Sequence, residues 1–247
     1  MNLLWLEPSD SFPNPRTASD SYPDVPGLIA ASENLGPEQL KRAYRHGIFP
    51  WYSKGQPVLW WSPNPRMILV PQELKISHSL KKSLRQFLIN PDYEIRVDFD
   101  FQETIMACAT QSRQHQNGTW ITHAIIQAYT ALHANNQAHS IEVFFDNQRI
   151  GGLYLVNIGG MVFGESMFSR QANASKIALA ALCGFCIDSQ ISLIDCQQET
   201  SHLSSMGGRP IPRNDFLDYI EHAINAKSPV WNFNKDVLTR WINREQS

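Results

Sequence analysis

The stretch SIEVFFDNQRIGGLYLVNIGGMVFGES, residues 140–166, breaks into three apolar runs at Asp146-Asn147 and at Gly159-Gly160. Asn and Gly tolerate the positive φ of tight hairpin turns, so residues 140–145, 149–157 and 161–166 are expected to form an antiparallel meander. Asn173 then stands where a helix cap belongs, ahead of an apolar helix reaching about Ser189, and residues 191–196 read as a buried strand. Strand, helix and strand in succession make a crossover. The expected class is therefore α+β, with a mixed, mostly antiparallel sheet and one βα unit.

Upstream, residues 7–26 carry five prolines among Ser and Asp, which points to an irregular segment that Phe12 and Tyr22 would pin down. Gly36-Pro37 opens a helix that Gly47 closes, with Leu40, Ala43 and Tyr44 facing inward. An aromatic-rich loop follows (Phe49, Trp51, Tyr52, Trp60, Trp61), then the turn Ser62-Pro63-Asn64-Pro65 and a short strand over 67–70. Pro71 sets the expected division: a small N-terminal domain, 1–70, and a larger C-terminal one, 71–247. Ser79 is expected to cap a helix with Leu80, Leu84, Phe87 and Leu88 inward, leaving Lys81, Lys82 and Arg85 on its other side. Residues 93–97 alternate like a strand, and 101–110 read as a helix. Thr122 caps another helix, whose inner face includes Ile125 and Tyr129, and Asn214 and Lys235 precede two terminal helices.

Lys and Arg number 21 against 23 Asp and Glu, a formal charge of -2, so any contact with nucleic acid must come from a local patch. Lys81, Lys82 and Arg85 form the densest such patch. Cys108, Cys183, Cys186 and Cys196 are few for 247 residues, which excludes a disulfide-stapled scaffold and suits a reduced, cytoplasmic protein. The longest apolar run, 177–187, is too short to span a bilayer, so no membrane partner is expected.

Seven strings occur in this order: Gly47-Ile48-Phe49-Pro50-Trp51, Trp60-Trp61-Ser62-Pro63-Asn64-Pro65-Arg66, Thr119-Trp120-Ile121, Ala138-His139-Ser140-Ile141-Glu142, Gly151-Gly152-Leu153-Tyr154, Gly164-Glu165-Ser166-Met167-Phe168-Ser169 and Ile194-Asp195-Cys196-Gln197. Over roughly residues 27–220 the chain resembles the leucyl/phenylalanyl-tRNA–protein transferases. The resemblance implies a C-terminal domain of the GCN5-related acyltransferase type. It also implies transfer of Leu or Phe, less readily Met, from aminoacyl-tRNA to an N-terminal Arg or Lys of an acceptor protein, which marks that protein for N-end-rule degradation. Residue by residue, the family's catalytic pair falls on Asp195 and Gln197, and its further functional acid on Glu165. The amino-acid pocket falls on Trp51, Trp120, Leu153, Gly164, Ser166, Leu179 and Ile194. Leu182 and Cys186 stand where many members carry an aromatic residue.

Asp195 and Gln197, two apart on a strand, are expected to leave one face together while Cys196 leaves the other. The expected role of Asp195 is to hold the cationic acceptor directly, with Gln197 accepting an amine hydrogen. Lys81, Lys82 and Arg85 are expected to meet tRNA phosphates without reading bases. Cys183 and Cys186 sit in an apolar helix with no second cysteine pair at metal spacing, and the histidines lack ligand spacing, so no metal and no cofactor are expected. A CoA-dependent acyltransferase would place a glycine-rich turn before the helix, and Ser169-Arg170-Gln171-Ala172-Asn173-Ala174 has no glycine.

Overall fold

The computed structural model describes residues 3–18, 22, 24–111 and 119–243. After a helical turn α1 (Pro15–Ala18) come β1 (Leu28–Ser32), α2 (Pro37–Arg45), β2 (Phe49–Pro50) and β3 (Val58–Trp61). The three strands form a small antiparallel sheet in the order β1-β3-β2. The proline-rich segment is docked as expected: Phe12 meets the indole of Trp60 edge-on at 4.9 Å, and the Tyr22 hydroxyl accepts the Leu4 N–H at 2.8 Å. Pro37 starts α2, Gly47 leaves it at φ 69°, and Leu40, Ala43 and Tyr44 are buried.

The remaining elements are β4 (Arg66–Leu69), α3 (His78–Ile89), β5 (Tyr93–Val97), α4 (Phe101–Thr110), α5 (His123–Ala134), β6 (Ala138–Phe145), β7 (Gln148–Ile158), β8 (Met161–Ser169), α6 (Ala174–Asp188), β9 (Ile194–Gln197), α7 (Ser201–Ser205), β10 (Arg209–Ile211), α8 (Arg213–Ala223) and α9 (Thr239–Ile242). Their strands form one seven-stranded sheet in the order β10-β4-β9-β8-β7-β6-β5. Only β8 and β9 run parallel, joined through α6, so the meander β6-β7-β8 and the single crossover are as the turn residues indicated. Arg66–Leu69, grouped by sequence with the residues before it, pairs with β9 and β10 and so belongs to the large sheet.

Side chains alternate across this sheet. On β7, Tyr154 and Val156 join a core shared with α2, α4, α5, α8 and the small sheet, while Leu153 and Leu155 join a core under α3, α6 and α9. At Gly151 an added Cβ would lie 2.6 Å from the Ala174 Cβ, so the glycine is what lets α6 start against β7. Local caps differ from expectation in three places. Ser77, not Ser79, caps α3 by accepting the Leu80 N–H, because Ser79 is already inside the first turn. Asn173 precedes α6 in a left-handed conformation, φ 66°, and its amide donates to the Ser83 hydroxyl at 3.0 Å instead of capping. Asn214 lies within α8, which starts after Pro212.

Candidate functional site

Pairing between β8 and β9 is confined to Val162 with Ile194 and Phe163 with Asp195. Beyond those pairs the two strands depart from regular geometry. On β8, Leu155 pairs with Gly164 and Tyr154 with Ser166, so Glu165 is the extra residue of a bulge. On β9, Ile68 pairs with Asp195 and Met67 with Gln197, so Cys196 is the extra residue of a second, and Gln197 has φ 56°. A cavity of about 510 Å³ lies beside these irregular ends. Trp51, Trp120, Leu153, Gly164, Glu165, Ser166, Leu179, Ile194 and Gln197 all line it, and so does Leu182. Sequence reasoning did not single out Thr200, His202 or Leu203 of the segment after β9, which close one side. At the rim Trp51 is 38% exposed, fixed by Trp61, whose indole N–H donates to the Trp51 carbonyl at 2.7 Å.

Asp195 does not line the cavity. Its carboxylate is fully buried and accepts two hydrogen bonds from Arg66, Nε to Oδ1 at 2.7 Å and Nη2 to Oδ2 at 2.6 Å. The third nitrogen of that guanidinium donates to the Gly47 carbonyl at 3.0 Å, and Phe49 and Phe216 lie 4.8 and 4.5 Å from its carbon. Direct contact between Asp195 and an acceptor, expected from sequence, is therefore corrected: Arg66 occupies both oxygens. The shared face expected for Asp195 and Gln197 is also corrected. Ile194 and Cys196 face the cavity and Asp195 faces away, while the bulge and the left-handed backbone return Gln197 to the cavity. Asp195 Oδ1 accepts the Gln197 N–H at 3.0 Å, which holds that turn of backbone.

Beside Gln197 is a buried ring of oxygens. Tyr44 Oη lies 2.6 Å from Glu165 Oε1, Tyr129 Oη 3.1 Å from Oε2, and the two phenols are 2.5 Å apart. The Gln197 amide Nε2 donates to Oε1 at 3.0 Å. Two phenolic hydrogens cannot fill all three O···O contacts, which disfavours an ionised carboxylate here. Burial agrees, pushing the Glu165 pKa up to about 8 against the opposing hydrogen bonds from Tyr44 and Tyr129, with the nearby Asp195 charge adding to the rise. Both phenols are pushed well above their ordinary range, first by burial and then by Glu165. At neutral pH Glu165 is thus largely a neutral acid.

Lys81, Lys82 and Arg85 stand apart from the cavity lining, on α3. Cys183 and Cys186 are buried free thiols, with Cys186 raised by burial beyond its ordinary range. Among the described residues no group of three or more His, Cys, Asp or Glu is arranged to hold a metal ion, and no helix is long and apolar enough to cross a membrane.

Bulged strands thus bring an amide and a buried carboxyl to the wall of a largely apolar cavity beside the sheet. A family model described as leucyl/phenylalanyl-tRNA protein transferase matches residues 68–221, and a model of that family's N-terminal domain matches 33–64. Proteins named leucyl/phenylalanyl-tRNA–protein transferase are similar over their whole length. That of Ralstonia pickettii is 52% identical, covering 99% of each chain, and that of Cupriavidus metallidurans 53%, covering 98% of each. This chain belongs to the leucyl/phenylalanyl-tRNA–protein transferase family. Among solved structures, a GCN5-related N-acetyltransferase from Kribbella flavida aligns with 68% of this chain and 58% of its own, at 12% identity and a TM-score of 0.33.

The protonated Glu165 has a signature in stability. Between its ordinary value of 4.5 and its folded value of about 8, the folded chain binds a proton that the unfolded chain has released. Stability from this group is therefore full at low pH and declines as pH rises through that window. Thermal melts from pH 5 to 9 are expected to show this decline in the wild type and a flatter profile in Glu165→Gln, whose amide reproduces the neutral acid. A wild-type profile that rises relative to the variant would mean that the buried group is a carboxylate.

Proposed function

We propose that this protein moves Leu or Phe, and less readily Met, from aminoacyl-tRNA to the α-amino group of an N-terminal Arg or Lys of an acceptor protein, in the cytoplasm, and so marks that protein for N-end-rule degradation. The observation that carries this reading is the apolar cavity ending at the Gln197 amide and the Glu165 carboxyl, in a chain more than half identical to relatives of that name. The large sheet would then serve as the acyltransferase platform of the GCN5-related type. The donor's side chain enters between Trp51, Trp120, Leu153, Leu179 and Ile194, with Gly164 and Ser166 beside its backbone.

The chemistry is aminolysis of an ester. The acceptor nitrogen attacks the carbonyl carbon, the bond from that carbon to the ribose oxygen breaks, and the proton lost by nitrogen ends on the ribose oxygen. An α-amine with a pKa of about 7.7 to 8.0 has a neutral fraction at physiological pH, so positioning contributes more than base strength. Gln197 uses its N–H toward Glu165, which leaves its carbonyl oxygen to accept a hydrogen from the attacking amine. Asp195 acts through Gln197 as a positioning residue. Glu165 holds the Gln197 amide and gives the cavity a polar floor without a charge. Lys81, Lys82 and Arg85 would meet tRNA phosphates.

The test is incubation with radiolabelled leucyl-tRNA and a protein beginning with Arg. Label on the protein is expected, and label retained on tRNA bound to the chain would mean a non-catalytic binding module. Two further outcomes are expected in that assay. Leu exceeds Val by roughly 10- to 200-fold in kcat/KM, the range for one methylene in an apolar pocket, and equal transfer would remove the pocket assignment. Gln197→Ala lowers kcat by about 10²-fold with tRNA affinity retained, and a variant whose whole defect is lost tRNA binding would place Gln197 against the donor instead.

A further inference from the structure

Among the described residues, those lining the cavity include no Lys and no Arg. An aminoacyl group seated there hangs on a ribose whose own phosphate lies one bond sequence further out, so a phosphate donor needs a cation at the mouth. Lys176 is the residue placed to supply it. It lies three residues before Leu179 in α6, close to the same helix face and one turn nearer the helix start, and Leu179 lines the cavity. His202 on α7 is also part of the lining. Its imidazole is held below its ordinary range by burial first and then by the Lys176 ammonium, so Lys176 lies within electrostatic reach of a lining residue.

The surroundings favour an anion. Lys176 is half-buried and forms no ion pair among the described residues, and the first turns of α3, α6 and α7 contain no acidic side chain. Asn173, just before α6, donates to Ser83 of α3, which joins the start of α6 to the helix carrying Lys81, Lys82 and Arg85. Basic side chains thus lie on both helices that this bond joins, one group on α3 and Lys176 on α6. A lysine ammonium is a point charge on a flexible stem and binds phosphate without reading a base.

We propose that Lys176 takes a backbone phosphate of the unpaired 3′ end of the donor RNA, and that the α3 group takes phosphates further along the molecule. This rests on the reading that aminoacyl-tRNA is the donor. Three leucyl donors separate the two groups: full-length tRNA, the aminoacylated trinucleotide of the tRNA 3′ end, and leucyl-adenosine, which has no phosphate. Transfer to an Arg-terminated peptide is measured for wild type, Lys176→Ala, Lys176→Arg and the triple alanine variant of Lys81, Lys82 and Arg85.

For Lys176→Ala, KM is expected to rise on the order of tenfold with tRNA and with the trinucleotide, and to stay unchanged with leucyl-adenosine. Its salt slope with the trinucleotide falls by about 0.7, the single-strand value for one phosphate. Lys176→Arg keeps most of the wild-type affinity, and the triple variant is impaired with tRNA but not with the trinucleotide. Unchanged KM of Lys176→Ala with the trinucleotide overturns the proposal. So does an equal loss with leucyl-adenosine, which would make Lys176 a support of the cavity itself. If the wild type transfers from none of the three donors, the transferase reading fails and the assignment of Lys176 falls with it.

Discussion

Arg66 and Asp195 form an ion pair with no exposed surface, and the arrangement of the site follows from that burial. Removing two charges from water costs several kcal/mol per ion, and the cost is offset only where geometry and further hydrogen bonds are complete. Here they are: two parallel bonds to the carboxylate, a third to the Gly47 carbonyl, and aromatic faces from Phe49 and Phe216. These partners come from the loop after α2, from β4, from β9 and from α8. The pair thereby joins the N-terminal segment to the end of the strand that carries the site. What remains of the carboxylate's hydrogen-bonding capacity goes to the Gln197 N–H, and this fixes a left-handed residue at the cavity wall.

From Gln197 the chain of contacts runs to Glu165 and on to Tyr44 and Tyr129. Two carboxyl groups thus sit on either side of one glutamine with different partners. Asp195 is paired with a guanidinium, whereas Glu165 is pushed up by burial and hydrogen-bonded to two phenols. The neutral acid keeps the cavity floor polar yet uncharged, which suits an apolar side chain above it. A bulge on each strand is what points Glu165 and Gln197 toward one another.

The meander, its turns and the crossover were legible because Asp146-Asn147 and Gly159-Gly160 interrupt period-two runs, and because helix caps such as Thr122 are local. Trp51, Trp120, Leu153, Gly164 and Ile194 of the cavity wall fall in the ordered strings, whereas Leu179 came only with the family resemblance and Thr200, His202 and Leu203 were not read at all. The direction of Asp195 was not, since strict alternation fails at a bulge and at a positive φ, and nothing local announces either at Cys196-Gln197. Its partner Arg66 lies 129 residues away in a strand that sequence reading assigned to the N-terminal part. Tyr44 and Tyr129 were read as inward-facing core residues. The available signal was that a buried phenol needs a hydrogen-bond partner, which a sequence cannot supply.

If the Arg66–Asp195 pair positions Gln197 and does not only clamp two segments together, stability and transfer must separate when both charges are removed. The most direct test is to measure thermal stability and transfer kcat in Arg66→Met, Asp195→Leu and the double variant. Each single change leaves a buried charge uncompensated, at a cost of about 3 to 5 kcal/mol, while the double change removes both charges and is expected to recover most of that stability. Transfer by the recovered double variant is expected to stay depressed, because the Gln197 N–H no longer has a carboxylate to hold it. A double variant that is stable and transfers at the wild-type rate would contradict the account.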